Sequence, residues 1–248
     1  MSKLLVKNGR VICPASGIDA VSDVLIEDGR IAGVGPDLNA GNAHVIDATG
    51  LVVAPGFIDI HVHLRQPGFE HAETIATGSR AAAAGGFTTV CCMPNTKPVN
   101  DSAMVTSYIV EKARNEAIVD VFPIGAITKG SEGEDLASIG GMVAAGAVAI
   151  SDDGRPVMNS RVMRRAMETA AAMDIPVIDH CEDLNLSAGG DMHEGIDSVR
   201  LGLRGIPSAA EDVMVARDII LAELTGARYH VAHISTKNAV AMVHFAKQ

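Results

Sequence analysis

The chain has 248 residues, 48% of them hydrophobic and 3% aromatic, with 25 glycines. That composition belongs to a folded α/β protein rather than a disordered or fibrous one. A formal net charge of −10 argues against nucleic acid or an anionic membrane as the main partner, although a local cluster of cations can still hold an anionic small molecule.

Cys13, Cys91, Cys92 and Cys181 lack the spacing of a disulfide framework. The N-terminal stretch carries Lys7, Arg10 and Asp19 and no apolar core of a signal peptide. The longest apolar run, "GGMVAAGAVAI", falls short of the roughly 20 residues that span a bilayer. Together these features predict a cytoplasmic protein.

Residues 1–54 read as short strands joined by tight turns. Asn8-Gly9, Asp28-Gly29 and Thr49-Gly50 each separate two apolar runs, the signal of a hairpin. A small, mostly antiparallel sheet is expected there.

From residue 55 to 248 the texture changes. Six β-type runs, "GFIDIHVH", "GFTTVCCMP", "IVDVFPIGA", "GAVAISDD", "IPVIDHC" and "ARYHVAHIS", recur at wide spacing. Between them lie helix candidates at 72–84, 102–116, 134–145, 160–173 and 209–224, several closed by glycine. Strand–helix alternation with near-continuous apolar strands means a parallel sheet, either doubly wound or a (β/α)8 barrel. A closed barrel needs eight units and about 250 residues, whereas six are found here and the last run stops in mid-helix.

Each apolar run ends on chemistry. His61 and His63, Asn95, Lys129, Asp152 and Asp153, His180, and His233 lie at or just past successive strand ends. Catalytic groups of barrel enzymes sit at that end of the strands. In a strand, residues i and i+2 share a face, so His61 and His63 point together, and Arg65 follows if the extended geometry persists. Two imidazoles and a carboxylate from Asp152 or Asp153 suit Zn²⁺. His180 and His233 can hold a second ion, with one carboxylate bridging about 3.5–4 Å. Arg65 can pair with a substrate carboxylate, and Asn95 can donate to the same group. Cys181, out of phase with His180, reads as core, as do Cys91 and Cys92, while His71, His193, His230 and His244 read as surface or structural. Lys129 is a possible carboxylated bridge, although Asp153 already offers one.

These motifs resemble a known family. "PGFIDIHVHLRQPG" is similar to the H-x-H signature of the amidohydrolase superfamily in its dihydroorotase form. "CMPNT", "SDDG", "DHCED" and "HVAHIST" follow in the order of the bacterial type I enzymes. The resemblance implies an incomplete (β/α)8 TIM-type barrel of about six units, at 55–248, behind a 1–54 segment of a composite β-sandwich. It implies interconversion of N-carbamoyl-L-aspartate and dihydroorotate in pyrimidine synthesis. It further implies one or two zinc ions, with His61, His63 and Asp153 on one and Asp153, His180 and His233 on the other, and a substrate held by His63, Arg65 and Asn95. The family's proton-transferring Asp is expected beyond Gln248, so the chain alone is expected to lack turnover. Related hydantoinases and allantoinases bridge their metals with a carboxylated lysine of the fourth strand, where this chain reads "AISDDG". A homodimer, or a non-catalytic association with aspartate transcarbamoylase, is the remaining implication.

Overall fold

A computed structural model describes residues 3–39 and 41–248. The chain divides into two compact units, Met1–Phe57 and Ile58–Gln248.

The smaller unit is one five-stranded sheet centred on β1 (Lys3–Cys13). β2 (Ile18–Glu27) runs antiparallel to β1, and β3 (Arg30–Gly35) antiparallel to β2. Asp28-Gly29 makes the expected hairpin: Glu27 pairs with Arg30, and the two turn residues have φ of 50° and 76°, the positive values of a type I′ turn. The other two expected hairpins do not form. Asn8-Gly9 lies inside β1, where the pairing with β2 shifts register between Val6 and Gly9. Asn8 (φ 61°) forms a bulge whose N–H donates to Asp23 Oδ1 at 2.9 Å. Thr49-Gly50 separates β4 (His44–Asp47) from β5 (Val52–Val53), and both pair with β1 in parallel rather than with each other. The break lies opposite the bulge. A Cβ on Gly9 would come within 2.5 Å of Val53 Cγ2 and 3.1 Å of Ala48 Cβ, so glycine is required by close approach.

The larger unit is built on a six-stranded curled sheet. Its strands are β6 (Phe57–Val62), β7 (Phe87–Cys92), β8 (Asp120–Gly125), β9 (Ala149–Ile150), β10 (Val177–Asp179) and, last, Tyr229–Val231. Neighbours pair in sequence order, in parallel from β7 onward. Helices join them: α1 (Ile75–Ala84), α2 (Ala103–Glu116), α3 (Ile139–Ala144) and α4 (Ser160–Ala172). Thr74 caps α1 by accepting from Thr77 N–H, and Asn159 caps α4. The expected helix at 134–145 is real only from Ile139. "SEGEDL" has no 3.6-residue apolar repeat, and Leu136 instead bridges Thr128.

The segment after β10 holds α5 (Leu184–Ser187), β11 (Met192–His193), α6 (Ile196–Leu201) and β12 (Gly205–Ile206), with β11 parallel to β12. Then come α7 (Ala209–Thr225), β13 (Tyr229–Val231) and α8 (Lys237–Ala246).

Period-2 alternation sorts the strand residues. Met93, Ile124, Ala149, Ile178 and Ala232 form a cluster of strand and strand-end residues on the concave face. Their neighbours Ile150 and Val177 face outward, against the buried stripe Val162, Met163, Ala166, Met167 and Ala170 of α4. Each fully buried Ile or Met there contributes roughly 1.5–3 kcal/mol. Cys92 and Cys181 fill the outer layer, as expected. Among the described residues no helix is long and apolar enough to cross a membrane.

Candidate metal centre

The centre is assembled at the strand ends. Val62 and Leu64 belong to the outer hydrophobic layer, so His61 and His63 project to the opposite face together. Asp153, three residues past the end of β9, is buried and meets four imidazoles. Its Oδ1 lies 3.2 Å from His61 Nε2, 3.6 Å from His233 Nε2 and 3.8 Å from His180 Nδ1. Its Oδ2 lies 3.5 Å from His63 Nε2. His180 Nδ1 and His233 Nε2 are 3.1 Å apart.

Outer partners fix which nitrogen faces inward. Asn95 Oδ1 accepts from His63 Nδ1–H at 3.0 Å, leaving Nε2 free toward Asp153, and Asn95 Nδ2 donates to Asp153 Oδ2 at 3.3 Å. Glu182 Oε2 accepts from His180 Nε2–H at 3.1 Å, leaving Nδ1 free. His233 has φ 32°, a backbone state that persists only when surrounding contacts over-determine it. Those contacts come from α7. Glu211 accepts from the N–H groups of Ser235 and Thr236, each at 3.0 Å, and from the Ser235 hydroxyl at 2.5 Å. Asp212 accepts from the Thr236 hydroxyl and from Asn238 Nδ2.

The charges are set by this crowding. Burial pushes the His61 imidazole below its ordinary value, against the pull of Asp153 and with repulsion from His233 and His63. Burial acts to raise the Asp153 carboxyl, but the hydrogen bond from His233 and the charges of His61, His63 and His180 carry it below the usual range. The same Asp153 hydrogen bond raises His233 despite its burial. Asp153 is therefore an anion surrounded by imidazole nitrogens, at least two of which turn lone pairs inward. Lone pairs gathered at such distances repel unless a proton or cation sits among them. An N₄O donor set with one shared carboxylate fits Zn²⁺ or a similar ion.

The structure also separates the sequence candidates. Asp152 turns away from the centre and accepts from Ile127 N–H, Thr128 N–H and the Thr128 hydroxyl; burial pushes it up to about 6 despite those bonds. Lys129 is not with the imidazoles: its exposed Nζ lies 3.8 Å from Asp135. Arg65 does not continue the alternation of His61 and His63. Its φ of 60° ends the pleat, so the loop rather than the strand directs it. His193, read as surface, lines a cavity of about 290 Å³ with His180, Glu182, Glu211 and His233.

Glu182 and Glu211 were not anticipated. For Glu182 the signal was present, two residues after His180 in "DHCED". Glu211 lies 22 residues before His233 on a different element, and only the tertiary fold joins them.

Residues 50–239 match the family model described as dihydro-orotase-like. The chain belongs to the dihydroorotase-like family. A dihydroorotase of Solibacter usitatus is 76% identical over 244 residues, 98% of this chain and 57% of that protein. A dihydroorotase of Geobacter sulfurreducens is 58% identical over 245 residues, 98% of this chain and 58% of that protein. The chain thus spans little more than half the length of the curated relatives it matches. Among solved structures, an L-hydantoinase from Arthrobacter aurescens superposes with a TM-score of 0.80 at 24% identity, covering 100% of this chain and 56% of that one. A D-hydantoinase from Thermus sp. gives 0.71 at 28% identity, covering 98% and 55%. These likenesses establish the barrel-type α/β fold for this dihydroorotase-like chain.

Proposed function

We propose that the protein is a zinc-dependent cyclic amidohydrolase that interconverts N-carbamoyl-L-aspartate and dihydroorotate. The convergence of His61, His63, His180 and His233 on Asp153 carries the reading, and the family match and the dihydroorotase relatives supply the substrate class. Zinc held by these five side chains would polarise an amide carbonyl and lower the pKa of water.

The chain's own residues do the rest. Asp153 neutralises charge among the imidazoles; its Oδ1 faces His61, His180 and His233 and its Oδ2 faces His63, which suits one ion or two. Arg65 takes the carboxylate of the anionic substrate, as a guanidinium fork does best. Asn95 has one N–H engaged with Asp153 and a second left to donate to the same carboxylate. His63 lies between Asn95 and Asp153 and so lines the substrate side. A small-molecule substrate suits this concave face; a homodimer or an association with aspartate transcarbamoylase extends the same reading to partners.

Hydantoinase-type chemistry is favoured by the solved-structure likenesses, but the group among the four imidazoles is the Asp153 carboxylate, and Lys129 stands apart by Asp135. A non-catalytic scaffold would have no use for all five donors. The test is hydrolysis of dihydroorotate and of hydantoin by the protein as its gene encodes it, with and without a zinc chelator. Chelator-sensitive turnover of dihydroorotate supports the proposal. Turnover of hydantoin alone reverses the substrate assignment, and turnover of neither favours the scaffold.

A further inference from the structure

The four imidazoles of the centre are not held alike. The inward nitrogen of His63 is set by a neutral amide oxygen, Asn95 Oδ1 at 3.0 Å. The inward nitrogen of His180 is set by a carboxylate, Glu182 Oε2 at 3.1 Å. In both rings the outer N–H is spent on a partner, which fixes the tautomer and frees the other nitrogen for a cation. The partners differ in charge. A carboxylate draws the outer proton more strongly than an amide does and leaves the inward nitrogen more basic. It also adds a second negative charge on the His180 side, beyond the one that Asp153 shares with all four rings.

We infer that Glu182 is a positioning residue for His180 and sets the metal affinity of the His180/His233 half of the centre independently of the His61/His63 half. This rests on the metal-dependent reading above. The side chain is reachable, being 35% exposed on the wall of the cavity that also holds Glu211 and His193, so it can be replaced without opening the core. Asn95 is its counterpart on His63, although it also donates to the shared Asp153, so Glu182→Gln rather than Asn95→Ala is the stricter control.

The experiment is titration of the metal-free protein, as its gene encodes it, with Zn²⁺ against a competing chelator and with Co²⁺ read by its visible absorption. Wild type, Glu182→Ala, Glu182→Gln and Asn95→Ala are compared, with far-UV circular dichroism confirming the fold. Wild type should take up two ions. Glu182→Ala should weaken one of them by about 10–100-fold, the range for losing an outer partner of a ligating histidine, and leave the other unchanged. Glu182→Gln, whose amide oxygen can still accept from Nε2–H, should recover part of that loss. Asn95→Ala should weaken the other ion. Equal affinities in wild type and Glu182→Ala, or equal weakening of both ions, would overturn the inference, as would uptake of a single ion by wild type. No ion uptake at all would sink the metal-dependent reading itself.

Discussion

Asp179, one residue before His180, turns the opposite way, into the helix layer. There it meets Asp218 of α7 and Cys181, with ligand atoms all within 4.8 Å of one another and all three residues buried. Burial first, then the charge of Asp218, raise the Asp179 carboxyl well above its ordinary value. Arg217 balances the pair. Its Nε and Nη2 bond the Asp218 oxygens at 2.8 and 2.9 Å, and its Nη1 donates to the carbonyls of Val157 and Met158. Arg217→Met keeps the aliphatic stem, removes four donated bonds and strands a buried carboxylate. Breaking a buried pair from one side costs about 3–5 kcal/mol. The sign of the pH dependence follows from the raised Asp179. Its contribution is fully present below the unfolded value near 4 and is lost as pH rises through the folded value. Without the guanidinium, whose charge lowers Asp179, that carboxyl is pushed higher still, so the deficit of Arg217→Met should be largest at pH 8.5 and shrink toward pH 5. Urea denaturation followed by circular dichroism at both pH values checks this. A loss below about 1 kcal/mol, or one that does not change with pH, would refute the reasoning.

Asp153→Asn removes the one anion shared by four imidazoles, and Zn²⁺ affinity should fall by at least about 100-fold, more than for an outer partner; chelator competition reads it, and unchanged affinity counts against the centre. In the metal-free protein, His233 should hold its proton above the usual histidine value and His61 release its own below it. The Asp153–His233 pair then stabilises most between the lowered Asp153 and the raised His233 values; NMR ring signals with coincident midpoints would contradict this. Gly9→Ala should destabilise the small unit by about 1–3 kcal/mol through overpacking against Val53 and Ala48, seen as faster amide exchange in β1; unaltered exchange would show that the bulge relaxes freely. A thiol reagent should label Cys13 first, since it is only half-buried and its hydrogen bond with Ser16 lowers its pKa, and the buried Cys92 and Cys181 last, since burial pushes both thiols up, Cys92 to about 12; the reverse order would contradict these environments.

How far the sequence spoke depended on the range of the interaction. The parallel strands were legible because a buried strand must be apolar along its length, and the five donors because each stood at a strand end. Local cues misled where two segments competed for one strand. Asn8-Gly9 carries hairpin chemistry, yet β1 runs through it because Val53 and Ala48 pack onto Gly9 from a segment some 40 residues on. Arg65 broke its phase through one positive φ that a two-residue period cannot register. Between residues 184 and 206 the elements are two to six residues long, too short for any period to show. By residue type alone Asp152 and Asp153 were equivalent, and only the family resemblance chose Asp153; in the fold the backbone N–H groups of Ile127 and Thr128 claim Asp152.

The two halves of the centre also differ in what supports them. His61 stands on β6 and His63 just past its end, Asp153 follows β9, and Asn95, past β7, ties His63 to Asp153. The other half leans on one helix. At its start α7 presents Glu211 and Asp212, which fasten the loop that keeps His233 at its strained φ. Two turns later it presents Arg217 and Asp218, which sit behind the strand that carries His180. His180 and His233 lie just past the ends of adjacent strands, β10 and β13, and α7 is the last element of the connection between them, so its packing bears on both imidazoles. A change that moves α7 must move both ligands of that half, while the ties of the His61/His63 half run through other elements. On the proposed metal-dependent reading, affinity at the His180/His233 side should respond to substitutions in α7, a helix that presents none of the five donors.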